Sequence, residues 1–439
     1  MALFPQEALN DGVRKREVFG WAMYDFANSG YTTVVLTAVF NSYFVGVAAQ
    51  GADWATLAWT MVIAASSLVV MLTMPAIGAY ADLHARKKRL LGMTTAACVV
   101  ATAALALVGR GDLWLAAVAM VLSNVCYSYG ESLTAAFLPE LARPDSMGRV
   151  SGWGWSFGYF GGMLSLGLCL AYVLAAQARG VPATEFVPVT MLITAGIYGA
   201  ASLATFALLR ERAVPQPAAA DSGGGLREAL GRLAATWRRA QAYRDFCWLL
   251  ACGACYQAGI SVVIALAAVY AEQALGFKQA QTMMLVFLVN IAAALGAFGF
   301  GYWQDRIGHK PALALTLVGW VVMTVLAVLA TGPGLFWVAA VIAGLCMGSS
   351  QSAGRALAGV FAPPTQRAEF YGLWTFATRL SAIVGPLTYG VVTLLTGGNH
   401  RLAILSTAFF FVVGLLLLVP VSVARGQAAA TARPDAAAA

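Results

Sequence analysis

Apolar residues run along this chain in blocks of about 20 residues or more, broken by short stretches that carry most of the charge. The blocks fall near 19–47, 55–80, 90–109, 113–138, 150–177 and 187–209, then 246–272, 280–303, 312–331, 335–359, 368–395 and 401–424. An α-helix rises about 1.5 Å per residue, so each block reaches across a hydrocarbon core of roughly 30 Å. The pattern predicts an all-α membrane protein of twelve transmembrane helices in two six-helix, pseudo-symmetric halves. The expected layout is a lead over 1–17, bundles over 18–210 and 244–424, a linker over 211–243 and a disordered tail over 425–439.

The two halves carry the same punctuation. Gly78-Ala79-Tyr80-Ala81-Asp82 ends the second block and runs on to Arg86, Lys87 and Lys88. Gly301-Tyr302-Trp303-Gln304-Asp305 ends the eighth and runs on to Arg306, Gly308, His309 and Lys310. Glycine lets two helices approach closely, and the aspartate can face the positive end of a neighbouring helix. A second repeat follows the fourth and tenth blocks. Phe137-Leu138-Pro139 precedes Gly148-Arg149-Val150-Ser151-Gly152-Trp153, and Phe361-Ala362-Pro363 precedes Ala368-Glu369-Phe370-Tyr371-Gly372-Leu373-Trp374.

Composition and charge agree with this layout. Of 439 residues, 60% are hydrophobic and 10% charged, too apolar for a soluble domain. A net charge of +8 is compatible with a nucleic-acid partner, but its placement along the chain argues against one. With the amino terminus placed in the cytoplasm, all but five of the 27 Lys and Arg fall on the cytoplasmic side or in the linker and tail. The exceptions are Arg110, Arg179, Lys278 and Arg401 outside and Arg379 within a span. That is the positive-inside bias, with both termini cytoplasmic and the bilayer as partner. No cleavable signal is expected, because the first apolar run is long and holds Asp25 and Asn28. A cell (inner) membrane is the expected address, and a monomer the expected state.

In the linker, Leu226, Leu230, Leu233 and Trp237 share a helical face among Arg227, Arg232, Arg238 and Arg239. An amphipathic surface helix or a solvated spacer would both read this way. Cys252 and Cys255 lie one turn apart in an apolar block, as packing residues rather than a redox or zinc pair.

The paired Gly/Asp/basic loops resemble the loop signature of the major facilitator superfamily, found between helices 2 and 3 and again between 8 and 9. Trp21-Ala22-Met23-Tyr24-Asp25-Phe26-Ala27-Asn28-Ser29 looks like the helix 1 signature of its vacuole-effluxer branch. Phe137-Leu138-Pro139-Glu140-Leu141, with the following Gly-Arg-Val-Ser-Gly, and Glu369-Phe370-Tyr371-Gly372 are similar to that branch too. The resemblance implies alternating access around a central cavity lined by helices 1 and 4, with fungal vacuolar amino-acid effluxers as relatives.

Ionisable residues in lipid cost about 2.5–3.5 kcal/mol each, so each is a candidate for function. Asp25, Asn28, Ser29 and Thr32 recur at i, i+3, i+4 and i+7, and Asn124, Tyr127, Ser128 and Glu131 repeat that spacing. For Asp25, a proton or substrate role stands beside a structural ion pair. Glu131 and Arg355 each lie eight residues before a proline, Pro139 and Pro363, at equivalent places with opposite charge. They are expected either to pair as an inner gate or to bond locally. Arg379 lies about 16 Å into its span, at 1.5 Å per residue. It anchors an anionic group of a solute, neutralises Asp25, or snorkels. Gln257 and Gln351, with Tyr256, Ser261 and Asn290, are weaker candidates for uncharged contacts. The gating set is Gly78, Asp82, Arg86, Lys87, Gly301, Asp305, Arg306, Lys310 and Arg355.

No P-loop is present, the three histidines sit in loops, and no metal cluster stands out. Neither an enzyme nor a cofactor is expected, and coupling to H+ would fall to carboxylates. The expected function is a secondary active transporter of a small solute, by ion-coupled efflux, with amino acids as the leading class. A lipid or amphiphile flippase, and a non-transporting assembly or cofactor-delivery factor on the same scaffold, are the rivals.

Overall fold

The structure, a computed structural model, describes residues 4–216, 243–275, 277 and 279–432. Twelve helices among the described residues are long and apolar enough to cross a membrane. In the first half they are α1 (Lys15–Ala48), α2 (Ala55–Leu83), α3 (Lys87–Leu107), α4 (Leu113–Leu141), α5 (Pro144–Ala178) and α6 (Ala183–Leu208). In the second they are α7 (Arg244–Leu275), α8 (Gln279–Ile307), α9 (His309–Leu329), α10 (Pro333–Phe361), α11 (Arg367–Leu395) and α12 (His400–Leu418). The chain is a multi-pass membrane protein.

The apolar side chains that face outward, such as Leu72, Val100, Leu203, Leu295 and Leu394, form a lipid-facing coat. Polar groups turn inward and satisfy one another. In the first half, the Tyr24 hydroxyl meets Thr95 Oγ1 at 3.0 Å and Tyr198 at 3.2 Å, and Tyr198 donates to Asn28 Oδ1 at 2.8 Å. In the second, Trp320 stacks on Phe411 with centroids 5.1 Å apart, while its indole N–H donates to Ser350.

The halves meet along a seam in which each main contact is mirrored by the contact between the repeats of its two helices. α2 packs on α11 as α8 packs on α5, and α4 meets α11 as α10 meets α5. The outer part of α1 departs from regular α-helix. Over Thr32–Ala38 it widens to π turns, with Val39 N–H donating to Val34 O, five residues back, at 2.9 Å. A run of crowded β-branched residues, Thr32 to Val35, marks the spot.

Both flanks of the first bundle are tied down. Phe4 is buried against Trp153, with ring centroids 5.0 Å apart, and Leu9 bridges to Ala142. After α6, Glu211 accepts the first-turn N–H groups of α3, Lys87 N at 2.7 Å and Lys88 N at 3.0 Å. Burial pushes the Glu211 carboxyl above its usual range, against the opposing pull of those N–H groups.

The tail differs from expectation. Val423–Thr431 is a short helix, α13, not disorder. Ser422 caps it, Asp245 accepts twice from Arg425 at 2.7 Å, and Gly426 presses on the Phe361 ring. Hydrogen bonds to Asp245 push Arg425 above the usual guanidinium range. The alanine-rich composition hid these anchors. The linker helix expected around Leu226 to Trp237 lies outside the described residues, as do residues 433–439.

Candidate functional site

A cavity of about 650 Å³ lies between the halves. It runs from Asp25 and Arg355 past Thr32 and Gln351 to Thr37, Leu285 and Phe336, near the ends of α1, α8 and α10 away from the basic loops. Its floor is polar and mostly from the first half: Asp25, Asn28, Ser29, Tyr127 and Glu131. Much of the opposite wall is apolar, with Val289, Met323, Ala340 and Met347.

Two ion pairs cross the seam at this floor. Arg355 on α10 donates from Nη1 to Asp25 Oδ2 on α1 at 2.7 Å. Its Nε donates to Ser151 Oγ at 3.1 Å and its Nη2 to Ser151 O at 2.7 Å. The guanidinium lies over the rings of Trp21 (4.9 Å) and Trp155 (5.3 Å). These side chains are 8% and 13% exposed for Arg355 and Asp25, so little water reaches the pair. Arg379 on α11 donates from Nη2 to Glu131 Oε2 on α4 at 2.9 Å. Here the Glu131 side chain is 38% exposed, the buried Nε of Arg379 has no partner, and Tyr127 lies under the guanidinium at 5.7 Å.

The partners are therefore exchanged relative to expectation. Glu131 does not pair with Arg355, nor Asp25 with Arg379. Repeat symmetry places residues 131 and 355 at equivalent positions, yet α4 faces α11 across the seam while α10 faces α5. The carboxylate on α4 thus finds the arginine on α11, and the arginine on α10 finds Ser151 on α5 and Asp25 on α1 beside it.

Beyond the floor, the repeated loops close the seam on the basic face. Asp82 accepts from Glu369 N at 2.9 Å, at the start of α11, and Gly78 lies directly against the Ala368 carbonyl. In the mirror contact, Asp305 accepts from Gly148 N at 2.9 Å and Arg149 N at 3.2 Å near the start of α5. Gly301 there packs on the Gly148 carbonyl, where a Cβ would come within 2.8 Å. Each aspartate thus caps a helix of the other half, where exposed N–H groups favour negative charge. Arg149 Nε adds a 2.9 Å bond to Asp305.

The basic members of the loops act differently. Lys87 is buried and pairs with Glu140 inside the first half, and Lys310 donates to Val419 O and Val421 O, both at 2.7 Å, inside the second. Arg86 and Arg306 are exposed, with Arg86 reaching only Tyr80 Oη at 3.4 Å. Glycines and aspartates join the halves; the lysines brace each half.

Of the other candidates, Asn28, Thr32, Tyr127, Gln257 and Gln351 line the cavity. Asn124 does not. It donates to Ser66 Oγ on α2 at 2.5 Å, and Ser128 bonds back to its carbonyl. The i, i+3, i+4, i+7 stripe of α4 is wide enough to split, its 124/128 edge turning to α2 and its 127/131 edge to the cavity. Ser151, Trp21 and Trp155, which cradle Arg355, were not singled out by sequence. Their signal was local: Trp21 is one turn before Asp25, and Trp155 one turn after Ser151. Cys252 is buried and Cys255 half-buried, both as free thiols.

Residues 13–431 match the family described as vacuole effluxer Atg22 like. The chain belongs to that family. A Bacillus subtilis (strain 168) protein named as an MFS-type transporter, YxiO, is 26% identical over 403 residues, covering 91% of this chain and 93% of that one. Autophagy-related protein 22-1 of Aspergillus fumigatus is 26% identical over 304 residues, 64% of this chain and 49% of that protein. The chain thus spans about half the length of that fungal relative. Among solved structures, the human organic anion transporter MFSD10 (TETRAN) superposes with a TM-score of 0.70 at 17% identity, over 94% of this chain and all of the other. The proton:xylose symporter XylE gives 0.66 at 14%, over 91% and 93%. Identity this low speaks to fold. Family and fold together make this Atg22-like chain a secondary transporter of the major facilitator superfamily, not an enzyme.

Proposed function

We propose that this Atg22-like transporter exports a small zwitterionic solute, with amino acids as the leading class, in exchange for protons. The observation that carries the reading is the Glu131–Arg379 pair: one hydrogen bond, at the cavity floor, beside an unpartnered guanidinium N–H. A solute carboxylate can displace Glu131 and take the guanidinium of Arg379, because a guanidinium binds carboxylates through two parallel N–H groups. Glu131, once displaced, is free to receive an ammonium group or a proton. The positive-inside bias of Lys and Arg supports a cytoplasmic basic face with both termini inside, in what we take to be a cell (inner) membrane. The cavity is then open to the exterior and the sealed seam is the inner gate.

The cycle follows from the charges. A proton arriving from outside neutralises Glu131 and releases Arg379, which removes one tie across the seam. The inner face opens, the solute carboxylate binds Arg379, and the proton leaves to the cytoplasm. Return to the outward-open state delivers the solute outside, where Glu131 recaptures Arg379. Inverted or parallel repeats rocking about a midplane site are the general form of such cycles.

The apolar wall of the second half favours a second reading, a flippase for lipid or another amphiphile. A thermal-shift screen of the purified protein in detergent separates the two, because a binder stabilises by mass action. Stabilisation by amino acids, lost in Arg379→Ala, supports export of a zwitterion. Stabilisation by lysolipids alone supports the flippase.

A further inference from the structure

Residues 209–216, which leave α6 and open the connection between the halves, lie across the basic face rather than away from it. Their contacts divide into two groups. The first group fastens the segment to its own half. Leu209 O accepts from Lys88 Nζ at 2.5 Å, Glu211 holds the first-turn N–H groups of α3, and Arg212 Nη2 donates to Glu17 Oε2 at 2.7 Å. Gln216 N donates to Leu83 O at 3.0 Å, at the end of α2. The second group crosses the seam. Gln216 Nε2 donates at 2.9 Å to Thr365 O, in the α10–α11 connection of the other half.

That crossing bond sits beside the gate. Leu83 follows Asp82 directly, and Thr365 lies four residues before Glu369, whose N–H Asp82 accepts. Separation of α2 from α11 must therefore carry Thr365 away from Gln216 in the same movement. Beneath the segment is a cavity of about 280 Å³ lined by Asp82, Glu140, Arg212, Gln216, Thr365 and Arg367. Three of these have a buried polar atom without a partner: Glu140 Oε2, Arg212 Nη1 and Arg367 Nε. From Arg212 on, the segment spans this polar hollow and is held at discrete points, while Leu209, at its start, is buried in the core. That outer part lifts without exposing buried apolar surface.

We infer that residues 209–216 form a latch, anchored to the first half by Glu211 and Arg212, which holds the basic face shut through Gln216 on Thr365. It rests on the alternating-access reading above, and it adds a term from the connection between the halves to a gate otherwise built from helices. Loss of the Gln216–Thr365 bond should shift the resting balance toward a protein open on the basic face. One neutral hydrogen bond sets the scale of that shift at about threefold.

The test is a distance measurement on the full chain in lipid nanodiscs, without added solute. Spin labels at Arg89 on α3 and Ala428 on α13, both exposed, report the gap between the halves on the basic face once the native cysteines are replaced. Asp82→Asn serves as the gate-opening reference. Gln216→Ala and Glu211→Ala should each raise the long-distance population about threefold over the parent. If Asp82→Asn raises that population while both strap variants match the parent, the latch is overturned and the gate stands. If none of the three moves it, the rocking of the halves itself is refuted, and the latch with it.

Discussion

Two ion pairs bridge the halves at one level of this molecule, and they are built for different work. Arg355 has every nitrogen engaged, two tryptophans against its plane, and a partner carboxylate that water hardly reaches. Arg379 makes one hydrogen bond to a carboxylate more than a third exposed and keeps an N–H in reserve. A fully satisfied buried pair resists change because removal of either partner strands a charge. A half-satisfied pair at a cavity floor exchanges partners at low cost. The first holds the floor together; the second is the pair proposed to meet a solute.

The sharpest way to break this contrast is to remove the carboxylates one at a time. Asp25→Asn leaves Arg355 buried without a countercharge and should lower stability by about 3–5 kcal/mol, read as a fall in melting temperature in detergent. The double variant Asp25→Asn/Arg355→Met should recover most of that loss, because no stranded charge remains. Glu131→Gln, at the wetter pair, should cost less than about 1 kcal/mol. Equal losses at the two sites would erase the distinction between them.

A smaller effect sharpens the role of Arg379. Arg379→Lys keeps the charge and loses the planar fork, so binding of a stabilising amino acid should weaken by about 1–2 kcal/mol with melting temperature nearly unchanged. Smallest of all are the exposed loop arginines. Arg86→Ala and Arg306→Ala should each alter stability by no more than about 0.5 kcal/mol, whereas substitutions at Asp82 or Asp305 uncap a helix across the seam.

The limits of sequence reading follow from the same geometry. Twelve spans, two repeats and the paired Gly/Asp loops were legible because each is a local pattern with a fixed period or register. Asp25, Glu131, Arg355 and Arg379 were legible as candidates because charge in an apolar run stands out. Their pairing was not. Repeat symmetry says that residues 131 and 355 are equivalent, and equivalence is not adjacency: at Glu131 α4 faces Arg379 on α11, and it is the last turn of α4, at Pro139, that touches α10. Asn124 failed for a related reason, since one helical stripe served two neighbours. The ordered tail was hidden because its anchors, Asp245 and Phe361, are distant in sequence from Arg425 and Gly426.

The central claim is that Glu131 carries the exchanged proton while Asp25 does not. Proteoliposomes loaded with a radiolabelled amino-acid mixture test it directly, by comparing exchange at equal pH with transport driven by a pH gradient. Glu131→Gln should retain exchange and lose the response to the gradient, because solute binding at Arg379 survives while the proton site is gone. Gradient-driven transport at the parent rate in Glu131→Gln would contradict the account.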